Sequence, residues 1–503
     1  MIRLHKVNEV YLRVECSYEQ SLELKEFLSC YAPNFMFHPK FRQKLWNGKI
    51  SFFDFNTQYL PIGLLEKFIE FAETFDYEYE YAFPVEELFD SSFTLDKLNL
   101  FFVKLFSGIK MNDEQLYPRD YQIGAIKNCL FRKRGVIESP TGSGKSLDIY
   151  AIIRYILENT EEKVLLVVPS VSLVEQMFSD FFDYGWTDAS ECVDILYSGK
   201  LITNKRVLVS TWQSIYKKGS GFFQDFGAVL IDEVHSVGKS QSIQSVAKKC
   251  TNATYRLGFT GTLPEEDHDT FNIYGYLGPQ IFELKSAELI DKGVLSKIVV
   301  ANILFKYPED VVKKNKNRTY PEEIRTIESF KPRNEVLKYI FSNINEGENS
   351  LVLCRHIDHL KEIETYLLNN VADKFSVSVI YGSVGPDERE EIRKMMDKQE
   401  NMILVGTYAT MSTGINIRRI HNVVFASSYK SKIKILQSIG RGLRVHKDKD
   451  LLILWDIVDD LTWLKKSGKL GKNYVYEHFE QRLKYYDEQG FTYHNLLLVA
   501  NDK

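Results

Sequence analysis

Cysteine is sparse and scattered along these 503 residues. Cys16, Cys30, Cys129, Cys192, Cys250 and Cys354 stand singly, with no C-x-x-C pair and no histidine cluster at zinc spacing. That excludes a disulfide framework and a cysteine-held zinc, and it fits a reduced compartment. No stretch approaches the roughly 18 apolar residues of a membrane span, and the opening MIRLHK lacks the apolar run of a signal peptide. A cytoplasmic protein without membrane attachment is expected. Excess positive charge is missing too: 64 Lys+Arg against 68 Asp+Glu leave a formal net charge of −4, so polyanion binding must come from local patches. No short-period repeat or low-complexity tract is visible. What is present, 44% hydrophobic and 13% aromatic residues, can fill the cores of about three domains at roughly 150 residues each.

From Glu9 to Tyr81 the pattern reads as a small α+β module. EVYLRVE and KISFFDF are strand-like, while SYEQSLELKEFLSCY, with Leu22, Leu24, Phe27, Leu28 and Tyr31 as apolar positions, and GLLEKFIEFAETF are helical. From Tyr117 to Phe282 the short runs GVIES, KVLLVVP, VDILYS, RVLVST, AVLIDE and YRLGFTGT alternate with helical stretches, as in a parallel sheet covered on both faces. A charged stretch from Lys306 to Asn334 reads as a surface excursion or linker. SLVLCR, VSVIYG, MILVGT, NVVFAS and LLILWDI then make a second α/β lobe, and YVYEHFEQRLKYYDEQG closes the chain as an amphipathic helix. The expected domains are 1–95, 96–282, 283–456 and 457–503.

ESPTGSGKS, Glu138 to Ser146, follows a strand and opens a helical segment, the context a phosphate loop needs. Thr141, Gly142, Ser143 and Gly144 would wrap phosphates with backbone N–H groups, Lys145 would reach the β and γ phosphates, and the Ser146 hydroxyl would ligate Mg²⁺. Ser139 stands where the pattern has its first glycine. AVLIDEVH puts Asp232 at a strand end where it can hold Mg²⁺, and Glu233 where it can position or deprotonate the attacking water. In QSIGRGLR, Arg441 and Arg444 are three residues apart and expected on one helical face, either as guanidinium groups for transition-state charge or as members of surface salt bridges.

Taken in order, these segments resemble the superfamily 2 helicases and translocases. YPRDYQ is similar to the Q motif, VVPSVSLVEQ and VSTWQS to motifs Ia and Ib, GFTGT to motif III, LVLCRHIDH to motif IV, VGTYATMSTGINI to motif V and QSIGRGLR to motif VI. The resemblance implies two RecA-like lobes between residues 117 and 456, with ATP and Mg²⁺ as cofactors. It implies nucleotide contacts for Arg119 and Gln122, nucleotide sensing by Gln437, and arginine fingers at Arg441 and Arg444. His235, Thr260, Thr262 and Gly414 would couple hydrolysis to lobe movement, and Pro169, Ser170, Thr211, Arg355 and Thr407 would track a nucleic-acid backbone. D-E-V-H with T-G-T points to the DNA-translocating, type III restriction-like branch, while Asn416 replaces the usual Asp of motif V.

One stretch of the N-terminal module stands apart. HPKFRQKLWNGK, residues 38 to 49, carries Lys40, Arg42, Lys44 and Lys49 beside Trp46 and no acid, in a segment where acids outnumber bases. Pro39 at a first helical position with Phe41 and Leu45 as apolar anchors favours a short helix, although alternation also permits a strand. Either way the cations form a patch for phosphates, on which Trp46 packs or stacks, or else an ordinary solvated face. With this module in front, the layout is similar to a bacteriophage family of recombination helicases. That resemblance implies a monomeric motor that branch-migrates Holliday junctions, regresses forks, dissociates R-loops and D-loops, and anneals strands, with branched DNA, RNA–DNA hybrids and single-strand-binding or recombination proteins as partners. Two other readings use the same motifs: the motor subunit of a restriction-like complex, and an ATP-gated clamp or annealing switch that does not translocate.

Overall fold

A computed structural model describes residues 1–90, 93–111, 114–197, 203–411 and 417–500. The chain forms two compact units, one of residues 1–139 with 144–284, the other of residues 285–503 with 140–143.

The first unit begins with a four-stranded sheet in the order Tyr59–Pro61, Tyr11–Glu15, Ile2–Lys6, Tyr79–Tyr81. Its first three strands are antiparallel neighbours, and the last joins in parallel. The helix Tyr18–Phe27 starts at a capping box between Ser17 and Gln20, and Leu65–Thr74 lays Phe68 and Phe71 into the core. The first helix stops short of the expected span. Ser29–Tyr31 leaves it to pair with Lys49–Ser51, so Tyr31 is a strand residue, and Leu22 faces solvent. Backbone pairing with a partner twenty residues away overrides the local helical period.

This module is seated on the rest of its unit. Phe52 stacks on Phe271 with ring centroids 5.0 Å apart, and Arg134 pairs with Glu9 at 3.0 Å. At Gly63 a side chain would fall 1.8 Å from the Tyr274 carbonyl oxygen, so glycine lets the backbone touch the helix Asp267–Leu277 directly.

Seven parallel strands follow in the order Val193–Leu196, Val207–Thr211, Lys163–Val168, Phe226–Asp232, Tyr255–Thr260, Arg134–Glu138, Gln280–Glu283. The second unit repeats this order with Ser376–Ile380, Met402–Thr407, Ser350–Cys354, Asn422–Phe425, Leu451–Asp460, Lys297–Lys306 and Thr492–Val499, again all parallel. The fold is thus α/β with two RecA-like sheets behind a small α+β module. In each sheet the edge strand latest in sequence escaped the sequence reading, as did Lys297–Lys306. The boundary drawn at 282 falls inside Gln280–Glu283, which pairs with Arg134–Glu138 through a shift in register after Gln280, and that at 456 inside Leu451–Asp460, which pairs along its whole length.

Lys306 to Asn334 is not the linker its charge suggested. It folds into helices Glu309–Asn315 and Tyr320–Ser329 and a short 3₁₀ turn, with Glu323 and Arg333 buried. Each buried charge has a specific partner. The Glu323 carboxylate accepts from the Val475 and Tyr474 amides at 2.8 and 3.2 Å, capping the helix Tyr474–Glu488, and Arg333 forks onto Asp459.

Candidate nucleotide site and nucleic-acid contacts

The strand Arg134–Glu138 is tied at its carboxyl end by the Ser139 amide, which donates to the Thr260 carbonyl at 2.9 Å. The loop then turns through two left-handed glycines, Gly142 at φ +91° and Gly144 at φ +93°. Ser143 is buried, its amide donating to the Pro140 carbonyl at 3.2 Å; Thr141 is half-exposed. Glycine is doubly required at 144, where a Cβ would also lie 2.7 Å from Gln122 Nε2. The helix Lys145–Asn159 starts immediately, so its first amides and the Lys145 ammonium lie together. Lys145 Nζ donates to the Ser139 carbonyl at 2.7 Å. The serine at the first motif position therefore contributes its main chain, which any residue supplies.

Gln122, at the start of the helix Asp120–Arg132, is buried behind this loop. Its Oε1 accepts from the Arg119 amide at 3.0 Å, and its Nε2 donates to the Gly144 carbonyl at 3.2 Å and to Asp148 Oδ1 at 3.0 Å. Both amide protons thus brace the phosphate loop. Asp148 escaped the sequence reading, because a lone acid in an amphipathic helix carries no motif. Burial pushes its carboxyl up to about 8, against the opposing pull of Gln122 and the Lys145 charge. The folded chain keeps this proton where an unfolded one, near 3.8, has released it. Its contribution to stability is therefore full below 3.8 and is lost as pH rises through 8. Asp148→Asn should hold stability as pH rises across that window; melting curves that shift with pH in parallel for wild type and variant would refute this.

Ser146 Oγ lies 2.8 Å from the Tyr184 hydroxyl, a second partner the sequence did not announce. Asp232 ends the strand Phe226–Asp232; burial first and the adjacent Glu233 second push its carboxyl up to about 7, with Lys145 opposing. A carboxyl held up by desolvation and a like charge is one that a divalent cation would ionise. The donor set fits Mg²⁺: Ser146 and Asp232 are hard oxygen ligands, and no group of three His, Cys, Asp or Glu able to cage a metal occurs among the described residues. Mg²⁺ characteristically takes few protein ligands and completes its shell from phosphate and water.

Glu233 has φ +50°, and its amide donates to Asp232 Oδ1 at 2.9 Å. His235 Nδ1 lies 3.0 Å from Thr260 Oγ1 and 3.3 Å from Glu233 Oε2. Thr260 Oγ1 also lies 3.0 Å from the Thr262 carbonyl oxygen. The structure thereby joins Glu233, His235, Thr260 and Thr262 in one chain.

Gln437 and Arg441 lie on the helix Lys432–Gly442. Contrary to the expectation from spacing, Arg444 does not share a helical face with Arg441, because the helix ends at Gly442 and Arg444 bridges Leu295. The end is held by buried Lys449, whose Nζ donates to the Gly442 and Arg444 carbonyls. Gly414, like Asn416, lies outside the described residues.

The backbone-tracking candidates occupy matching places in the two sheets. Thr211 and Thr407 end the second strands; Pro169 with Ser170, and Arg355, follow the third. The hydroxyls have local partners: Ser170 Oγ accepts from the Leu173 amide at 3.4 Å, Thr407 Oγ1 from the Thr410 amide at 3.2 Å, and Thr211 Oγ1 lies 2.9 Å from Ser214 Oγ. Arg355 donates to the Tyr320 hydroxyl, with its guanidinium 5.1 Å from the ring of Tyr320 and 5.7 Å from that of Tyr429.

In the N-terminal module the basic island forms a single helical turn, Pro39–Arg42, with proline in the first turn. Lys40, Arg42 and Lys44 are exposed and form no ion pair among the described residues. Lys49 is different, because it pairs with Glu26, an acid too distant in sequence to be read as its partner. Trp46 is half-buried and donates Nε1–H to the Lys49 carbonyl at 2.8 Å, so it pins the hairpin instead of offering a free stacking face. Leu45, expected as an anchor, is 74% exposed.

Three family models match. Residues 1–81 fit DNA helicase UvsW, N-terminal; residues 115–265 fit type III restriction enzyme, res subunit; residues 332–446 fit the helicase conserved C-terminal domain. The ATP-dependent DNA helicase uvsW of Enterobacteria phage T4 is 31% identical over 507 residues, 98% of each chain. The DNA 3'-5' translocase XPB2 of Sulfurisphaera tokodaii is 26% identical over 375 residues, 68% of this chain and 81% of that protein. Among solved structures, T4 UvsW aligns over 99% of this chain and 100% of its own, with a TM-score of 0.51 and 28% identity. S. cerevisiae Dbp5 bound to RNA, at 15% identity and a TM-score of 0.55, shares the fold.

Proposed function

We propose that this chain, which belongs to the UvsW family of ATP-dependent DNA helicases, spends ATP to remodel branched duplexes: it migrates Holliday junctions, regresses forks, dissociates R-loops and D-loops, and anneals the strands it frees. The observation that carries this reading is the N-terminal module, matched over residues 1–81 and seated on the helix Asp267–Leu277, with three exposed cations that form no ion pair among the described residues. A motor on branched DNA needs such a contact, which positions an arm without reading its bases.

In the proposed cycle, the amides after Gly142 and the Lys145 ammonium hold the phosphates, while Gln122 braces the loop from behind and Arg119 supplies a nucleotide contact. Bound Mg²⁺, held by Ser146 and Asp232, would neutralise charge on the β and γ phosphates. Glu233 orients and deprotonates water, and its own position is set by His235. Loss of the γ-phosphate would be felt along Glu233, His235, Thr260 and Thr262, and from Thr262 the chain runs within a few residues into the helix Asp267–Leu277, on which the N-terminal module rests. Gln437 is assigned the role of nucleotide sensor, and Arg441 and Arg444 that of arginine fingers. Pro169, Ser170, Thr211, Arg355 and Thr407 line the path of the strand at equivalent ends of both sheets.

The test is ATPase stimulation by single-stranded DNA, blunt duplex, forked duplex, four-way junction and single-stranded RNA, repeated with Lys40, Arg42 and Lys44 changed to Ala. Forks and junctions should stimulate most, and the triple variant should lose that preference. Three phosphate contacts removed should also flatten the salt dependence of fork binding by roughly 2.7 in log–log slope. Equal stimulation by all five ligands would overturn the branched-DNA reading.

A further inference from the structure

The segment that carries the cations also carries apolar side chains that the fold does not cover. Met36 is 61% exposed, Phe37 68% and Leu45 74%. Their neighbours in sequence behave oppositely. Phe35 stacks on Tyr31 with centroids 4.4 Å apart and takes the edge of Phe41 at 4.9 Å. Gly48, at φ +84°, closes over both rings, where a Cβ would lie 2.5 Å from the Phe35 ring. Trp46 is tied to the Lys49 carbonyl. The segment is therefore a stiff knob with its own aromatic underside, not a floppy loop that happens to show hydrophobic residues.

Backbone conformation helps to build it. Lys44 takes φ +58°, a left-handed turn that a side chain of this kind rarely adopts, and it follows the helical turn Pro39–Arg42 directly. Its amide returns to the Phe41 carbonyl at 2.9 Å and that of Leu45 to the Lys40 carbonyl at 2.8 Å, so the chain reverses with Leu45 at the tip. Glycine or asparagine would make this turn more cheaply, and an unfavourable conformation retained in an exposed turn points to use.

We propose that Met36, Phe37 and Leu45 form a wedge that enters the base step at a branch point and unstacks it, with Lys40, Arg42 and Lys44 seated on the flanking phosphates. The inference rests on the reading of this module as the part that engages a duplex arm. Charge selects the occupant: apolar tips ringed by three cations, with no acid from residue 38 to 49, complement bases between phosphates better than an apolar protein groove. Phenylalanine, leucine and methionine are the residue types that prise base steps apart. Docking adds leverage, since Phe52 on Phe271 and Gly63 against Tyr274 fix the module that carries the wedge to the helix Asp267–Leu277, in the same unit as the sheet that leads into the phosphate loop. DNA drawn past that sheet would be drawn over the knob.

The experiment uses the full chain and a synthetic fork with 2-aminopurine either at the branch pair or deep in the duplex arm, without ATP. Wild type should raise fluorescence several-fold at the branch and leave the arm position unchanged. Phe37→Ala with Leu45→Ala should abolish the rise, and Phe37→Trp alone should keep it. All variants are first checked by thermal melting; should the double variant melt early, Phe37→Ser replaces it. A rise that survives loss of the apolar side chains overturns the wedge and leaves them to a protein partner. The reading beneath it fails separately: Lys40, Arg42 and Lys44 changed to Ala would then bind the fork with wild-type affinity and an unchanged salt slope.

Discussion

Lys145→Ala is expected to lower fork-stimulated ATP hydrolysis by about 10³-fold while fork affinity stays within about twofold. The ammonium stands at the first residue of its helix, behind two glycines that leave no side chain in front of the amides, and it donates to the Ser139 main chain. A neutral methyl group would remove the one mobile cation of the loop and leave the fold intact, because the loop is also held by Gln122 and by the pairing of Ser139 with Thr260. Arginine is no substitute, since a planar fork cannot enter a space shaped for a point charge. A coupled ATPase assay and fluorescence anisotropy on the same fork decide the matter. Retention of a tenth of the wild-type rate would show that Lys145 is not the residue that meets the phosphates.

Arg482→Met should produce the largest loss of stability, about 3–5 kcal/mol. Arg482 lies on the helix Tyr474–Glu488, is 1% exposed, and forks onto both oxygens of Asp456 at 2.7 and 2.8 Å, with a third bond to Ser428 Oγ at 2.8 Å. The Tyr486 hydroxyl donates to the same carboxylate at 2.8 Å. Methionine fills the volume but strands a carboxylate at 0% exposure. The diagnostic is the second substitution: Asp456→Asn added to Arg482→Met should recover much of the loss, because the cost lies in the unpaired charge and not in missing packing. Urea melts of the full chain read both. No recovery in the double variant would place the effect in packing instead.

These two positions also show what the sequence could and could not disclose. Lys145 was legible because phosphate chemistry imposes a local pattern of small residues, a lysine and a hydroxyl within nine positions. Arg482 was invisible because its partners are 26 and 54 residues away and nothing local distinguishes it from a solvated arginine on an amphipathic helix. The same division explains the stretch from Lys306 to Asn334, where composition suggested solvent and tertiary partners dictated burial. It explains Lys49 too, which looked uncompensated until Glu26 was brought to it. Eleven of the fourteen sheet strands were legible as apolar runs between turn signals; Thr492–Val499 was not, since an edge strand with one face in solvent loses the unbroken apolar character of its neighbours.

The strand order that recurs in the two sheets has a consequence for where a glycine loop stands. A repeated topology is the mark of duplication, and duplication would hand each copy the same place for a nucleotide: the carboxyl end of the sixth strand. In the first copy that end opens into the glycine loop. In the second, Lys297–Lys306 runs on into buried Tyr307, whose hydroxyl donates to Asp459 at 2.8 Å where Arg333 also binds, and a proline follows. The equivalent strand end of the second sheet is thus filled by its own buried side chains. Among the described residues, the glycine loop therefore belongs to the first sheet alone.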